Sequence, residues 1–485
     1  MNVSALVESL DFGISAAEHE KDLANYFLET PVFLQVIKQS ADIIVGDKGT
    51  GKSAIYRMLK DKSRNYPRLG NVRIVDGFNP SGESVFRRFS SRDIFEEEDY
   101  RNLWKYYIFV LAGLRVIKDY PTGEAELHEI KEALKRLGAL EKGFSLESIV
   151  GFIFSKIPQI SKVEGGGGLE AIGLNASGRL EFFEKEQNIS NAGPTENLIS
   201  SYLQMVNDLL KRRSIEIWVA FDRLDESFHE NPEMEKLALR ALFRTYLDFC
   251  DHFENIKLKL FVRRDLFERI TEKNFVNLSH IKAKTQRIIW SEDDLWSMLS
   301  KRVMRSKEVA ALCGEDVTTD NLLRLLLPKK IDSGERKPST RNWILSRIRD
   351  GNHVLPPRSL IDLFRHATTE QLKRDKRDAS SQGRGLPILE SVSFKEAFSV
   401  LSEDRVQDTL YAEASHLRGV IESFRGGKAE HDDATLAKII NRTGESLEQT
   451  KNDLKKIGFL EPVGAKYKIP FVYRSYLEIK QGKSR

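Results

Sequence analysis

The run Asp42-Ile43-Ile44-Val45-Gly46-Asp47-Lys48-Gly49-Thr50-Gly51-Lys52-Ser53 constrains the fold more than any other stretch, because a strand-like apolar segment ends in a complete G-x-x-x-x-G-K-S/T phosphate loop. Glycines let such a loop curl until consecutive N–H groups point at a β-phosphate, and the helix that follows adds its positive N-terminal end. The flanks suit the motif, with Ala54-Ile55-Tyr56-Arg57-Met58-Leu59 reading as that helix. Gly46, Asp47, Lys48, Gly49, Thr50, Gly51, Lys52, Ser53 and Ala54 are therefore the expected nucleotide cradle. Lys52 would reach the β- and γ-phosphates and Ser53 would ligate magnesium, so the expected cofactors are ATP and Mg2+. No Asn-Lys-x-Asp tetrapeptide that reads guanine is present, although guanine stays open.

A phosphate loop of this kind needs a second strand that brings a carboxylate to the metal. Ile215 to Phe221 supplies it, followed by Asp222-Arg223-Leu224-Asp225-Glu226. Asp222 is the expected metal ligand, and Asp225 or Glu226 stands where a residue could polarise attacking water. The same two acids would also suit the first turn of a helix, where negative charge is favoured. After a helix that begins at Asn231-Pro232, a further strand, Leu258 to Val262, ends in Arg263-Arg264-Asp265. In the additional-strand class of P-loop ATPases this strand lies between the other two and carries a polar γ-phosphate sensor. Arg263 is the first candidate and Arg264 the second; a surface pair bonded to Asp265 and Glu268 is the alternative.

Length and composition set the frame. With 485 residues the chain has room for two or three domains, and it carries no apolar run long enough to span a bilayer. Lys plus Arg (76) exceeds Asp plus Glu (72) by so little that contact with nucleic acid would need a local basic patch. Two cysteines, Cys250 and Cys313, and an N-terminus without a basic-then-apolar leader give the expectation of a reducing, cytoplasmic location.

Taken together, Phe12-Gly13, the loop Gly46 to Ser53, Phe221 to Glu226, Arg263-Arg264-Asp265-Leu266-Phe267, Ile289-Trp290 and Pro357-Arg358 resemble a bacterial P-loop ATPase family named after a cyanobacterial locus. That family is similar to STAND and origin-recognition ATPases within the AAA+ and related additional-strand NTPases. The resemblance spans residues 10 to 480 and implies an α/β fold, a P-loop parallel sheet with a helical lid and a C-terminal winged-helix-like domain. It also implies a nucleotide-operated switch, in a homo-oligomer or with a partner protein, of a kind found near bacterial defence genes. In that comparison Phe12-Gly13 approaches the adenine, though core packing explains it as well, and Arg358 reaches across to the nucleotide unless it forms a simple salt bridge. Arg223 stands where AAA+ proteins place an acid, with acids displaced to Asp225 and Glu226 as in STAND proteins, which implies slow hydrolysis.

The expected domains are a nucleotide core over residues 1–290 interrupted by an insertion at about 120–195, a lid over 291–378 and a winged-helix-like domain over 388–485. Residues 16 to 40 read as helical, and Gly165-Gly166-Gly167-Gly168 as an irregular loop. Lys373 to Gly383 reads as a polar linker. Near the C-terminus, the helix Ser446 to Ile457 presents Lys451, Lys455 and Lys456 on a polar face that could enter a DNA groove, with Glu448 and Asp453 interrupting it.

Overall fold

The computed structural model describes residues 3–77, 96–121, 125–137, 139–140, 194–224, 232–272, 275–314, 317–377 and 385–483. By packing, the chain divides into two compact units, residues 31–46 with 55–287, and residues 1–30 with 47–54 and 288–485.

Among the described residues the first unit is built on five parallel strands: β1 (Ile43–Gly46), β2 (Val72–Asp76), β3 (Glu216–Phe221), β4 (Ile256–Arg263) and β5 (Thr285–Arg287). Their order across the sheet is β2-β3-β4-β1-β5, all neighbours parallel. β4 thus lies between the strand that leads into the phosphate loop and the strand that precedes Asp222, as the additional-strand reading requires. The runs Ile43-Ile44-Val45 and Ile217 to Phe221 are buried, as strands covered on both faces must be. One face packs the long helices Glu97–Asp119, Pro194–Arg212 and Pro232–His252 into a single apolar core. The helix Ala125–Arg136, inside the expected insertion, joins that core through Leu127, Ile130 and Leu134. The tetraglycine Gly165–Gly168 lies outside the described residues.

A charged group sits in the middle of this sheet. Lys259 is 0 % exposed, ion-paired with Asp42, hydrogen-bonded to the Ala41 carbonyl (3.3 Å) and placed 4.0 Å above the Trp218 ring. Tyr246 donates its hydroxyl to the same Asp42 carboxylate at 3.0 Å. Burial pulls the Lys259 ammonium below its ordinary range, while Asp42 opposes that pull.

The second unit carries two cores. Leu6, Val7, Leu10 and Phe12 pack with the helices Glu292–Val303, Thr340–Ile348 and Pro357–Arg377 in the first, so residues 3–30 belong by packing to the helical part. Phe12 lies against Phe364 (centroids 5.3 Å) and is buried, which is the core-packing reading. The second core is C-terminal. There, four strands, β6 (Lys428–His431), β7 (Glu461–Val463), β8 (Lys466–Lys468) and β9 (Lys480–Lys483), are ordered β7-β8-β6-β9 beside the helices Asp433–Ile440 and Gly444–Lys456.

Two helical expectations change. Residues 16 to 40 form only short pieces, Ala17–His19, Leu23–Tyr26 and Pro31–Ile37, because Pro31 lacks an N–H and restarts the chain as a new helix. Lys373 to Arg377 are the last turn of a 21-residue helix and not a linker; Leu360, Phe364, Ala367 and Gln371 bury its inner face, while residues 378–384 lie outside the described residues. Among the described residues no helix is long and apolar enough to cross a membrane.

Candidate functional site

The parallel sheet delivers Gly46, Phe221 and Arg263 to the same edge, because β1, β3 and β4 run in one direction and Gly46 pairs in register with Arg263. Beyond Gly46 the loop is curled by Gly49 (φ +77°) and Gly51 (φ +100°), backbone values that a side chain rarely adopts. Thr50 donates its hydroxyl to the Asp47 carbonyl at 2.7 Å, and Lys52 folds its ammonium onto the same carbonyl at 3.0 Å. The helix Lys52–Lys62 starts at the motif lysine, with Ser53 and Ala54 in its first turn. The loop is thus curled back on itself.

Three further groups hold the loop within its unit, and none was visible in the motif. The Trp290 indole N–H donates to the Thr50 carbonyl at 2.8 Å. The Arg358 backbone N–H faces the Gly49 carbonyl at 3.4 Å, and a Cβ on Gly49 would stand 3.0 Å from the Arg358 Cβ. Lys48 donates to the Asp408 carbonyl (2.9 Å) and pairs with Glu413 (3.2 Å), both in the C-terminal part. Arg358 therefore lies beside the loop, and its Nε is buried without a hydrogen-bond partner.

Asp222 follows β3 at 7 % exposure, and Arg223 behind it takes a left-handed backbone (φ +58°), turning the chain sharply away from the sheet. Asp225 and Glu226 lie outside the described residues. Arg263 ends β4 and there holds Asp265 through two bonds, Nε to Oδ1 at 3.0 Å and Nη2 to Oδ2 at 2.9 Å. Arg264 opens the next helix, Arg264–Thr271. The pairing with Asp265 that the sequence offered as an alternative is therefore present.

Tyr56, one turn beyond Ser53, donates its hydroxyl to Asp76 and sets its ring edge-on to Phe261 (5.8 Å). Burial first, then the bond to Asp76 and the charges of Asp76 and Asp222, push this hydroxyl well above its ordinary range. Tyr56 thus ties the helix after the phosphate loop to the surroundings of Asp222.

The DNA-facing role given to Lys451 is corrected. Its side chain is 2 % exposed, bonded to Asp433 and to Glu448 (2.7 Å), and set 5.0 Å above the Tyr467 ring. Burial draws its ammonium down, but the two carboxylates more than offset this and keep it charged. The helix face left exposed carries Glu445, Glu448, Gln449, Asn452 and Lys456, with Lys455 half-buried; that mixture is more acidic than basic. The helical pattern was read correctly, but its phase puts Lys451 between Leu447 and Leu454 on the inner side. Lys451→Met is therefore expected to destabilise the C-terminal core by about 1–2 kcal/mol, the scale of a charged hydrogen bond lost. Its melting curve should shift while the salt dependence of any DNA binding stays that of the wild type.

Strand order, phosphate loop and the acid after β3 together define the α/β P-loop NTPase fold of the additional-strand class. The chain matches no family model. It is similar to the putative transposon gamma-delta 80.3 kDa protein of Escherichia coli, 22% identical over 316 residues that make up 62% of this chain and 40% of that one. The chain thus matches about two-fifths of the length of that curated relative. Among solved structures it is similar to the Walker-type ATPase PABY2304 of Pyrococcus abyssi, with 13% identity, TM-score 0.37 and coverage of 92% of this chain and 94% of the other. It is also similar to the Aeropyrum pernix ORC2 protein in ADPNP–ADP complexes, with 12% identity, TM-score 0.40 and coverage of 92% and 89%.

Proposed function

We propose that the chain is a magnesium-dependent ATPase that works as a nucleotide-operated switch. The observation that carries this reading is the sheet order β2-β3-β4-β1-β5, with the phosphate loop after β1, Asp222 after β3 and Arg263 ending the strand between them. Backbone N–H groups of Gly49 and Gly51 and the Lys52 ammonium bind the phosphates, Lys52 exchanging the Asp47 carbonyl for phosphate oxygens. Ser53 and Asp222 would hold magnesium, which screens charge on the β- and γ-phosphates when bound. Arg358, with a buried and unpartnered Nε, supplies a donor for the same phosphates. Asp225 or Glu226 orients water. Arg263 reports the γ-phosphate by releasing Asp265, with Arg264 as its alternate.

The switch reading rests on how the loop is held. Residues 291–378 act as the helical lid and 388–485 as the winged-helix domain, whose helix–strand–helix–helix–hairpin order runs from Arg418 to Lys468. Lys48 links the phosphate loop to this domain through Glu413 and the Asp408 carbonyl. An ion pair as accessible as this one is worth at most about 1 kcal/mol. Glu413→Gln and Glu413→Ala are accordingly expected to speed nucleotide exchange, each by no more than about fivefold. Stopped-flow release of a fluorescent ADP analogue reads both.

A second reading, a partner- or DNA-binding switch with little turnover, is favoured by Arg223 in the place of an acid. The acidic exposed face of Gly444–Lys456 favours a protein partner or a second copy of this chain over DNA. A role in bacterial defence and a cytoplasmic location follow from the family resemblance and the cysteine usage. Calorimetric titration with MgATP, followed by phosphate release, tests the main reading: saturable binding with turnover supports it, binding without turnover favours the second, and no binding of ATP or GTP overturns both.

A further inference from the structure

The carboxylate at the end of β2 has no role in the reading above, yet it shares the sheet face of the metal ligand. In parallel register Asp76 pairs with Ala220, so Asp76, Ala220 and Asp222 project to one side of the sheet. Tyr56 lies over that side, reaching from Phe261 on β4 to Asp76 on β2 and so crossing the end of β3. The two oxygens of Asp76 are held separately, Oδ1 by the Tyr56 hydroxyl and Oδ2 by Lys60 at 2.6 Å. Each carboxylate oxygen accepts two hydrogen bonds, so a lone-pair site remains on each. The backbone beneath is fixed as well: Gly77 donates to the Ala220 carbonyl at 2.7 Å, Tyr107 donates to the Gly77 carbonyl, and a Cβ on Gly77 would strike the Phe221 ring at 2.6 Å. An ordinary surface ion pair would require neither the half-buried tyrosine nor the locked strand end.

We propose that Asp76 is a positioning residue of the metal–nucleotide site, accepting hydrogen bonds from the water shell of the ion that Asp222 holds, with Tyr56 and Lys60 fixing its carboxylate. The inference rests on the nucleotide-binding reading above. Groups of this kind orient a hydrated ion without ligating it, and their loss costs about 10–100-fold in metal affinity. They act only while the ion is bound, so nucleotide affinity in its absence is left alone.

The test is the affinity of the full chain for a non-hydrolysable ATP analogue, measured by calorimetry in magnesium chloride and again in EDTA. Asp76→Asn is expected to lose about tenfold of the magnesium-dependent gain, with the EDTA affinity unchanged. Tyr56→Phe should lose about threefold in the same direction, the scale of one net hydrogen bond, and it carries the test if Asp76→Asn does not fold. Wild-type magnesium gain in a folded Asp76→Asn, or in Tyr56→Phe where that variant carries the test, overturns the assignment, as does an equal loss in both media. A wild-type chain that binds no analogue in either medium instead overturns the nucleotide-binding reading itself.

Discussion

Lys52→Ala is expected to weaken ATP binding by about 100-fold, close to 3 kcal/mol, because the variant loses a charged hydrogen bond to phosphate at the mouth of a helix. The ammonium now rests on the Asp47 carbonyl at 3.0 Å, a half-buried contact to an acceptor whose place a phosphate oxygen would take. Alanine also suits the first turn of the helix Lys52–Lys62, so circular dichroism and thermal midpoint should stay near the wild-type values. Calorimetry with MgATP separates the two effects. Undiminished affinity in a folded Lys52→Ala protein would remove the phosphate loop from the site.

The second large effect belongs to the sheet and not to the nucleotide. Asp42→Ala leaves the Lys259 ammonium at 0 % exposure with only the Ala41 carbonyl and the Trp218 ring for partners, and strips Tyr246 of its acceptor. Removing one member of a buried pair costs about 3–5 kcal/mol, which for a unit of this size lowers the melting point by on the order of 10 °C. Replacing both, Asp42→Ala with Lys259→Met, should recover most of that loss, since neither charge is then stranded. Calorimetric melting of the three variants checks the ordering; a double variant no more stable than Asp42→Ala would show that Lys259 is compensated by something other than Asp42.

Much of the sheet was legible because its strands announce themselves as apolar runs with polar ends. Ile43 to Val45 and Leu258 to Val262 fall on strands, as does all but the first residue of the run Ile215 to Phe221, and the position of β4 between β1 and β3 follows from the class of phosphate loop. Groups that meet across long sequence separations were not legible. Nothing local tells that Trp290 reaches Thr50, that Lys48 finds Glu413, or that Tyr56 turns to Asp76. A signal for Lys259 did exist: a lysine flanked by Leu258 and Leu260 in a central strand must be paired or neutral. Lys451 shows the opposite failure, in which a correct helix with the wrong phase reads an inward cation as an outward one.

Trp290, Arg358 and Glu413 brace a loop that precedes them by more than two hundred residues. During synthesis the strands through Arg287 can assemble while that loop still lacks all three braces. On the nucleotide-binding reading, the full set of contacts that steady this loop is complete only once residues as far along as Glu413 have been made, so a chain halted before them would hold its ligand less firmly.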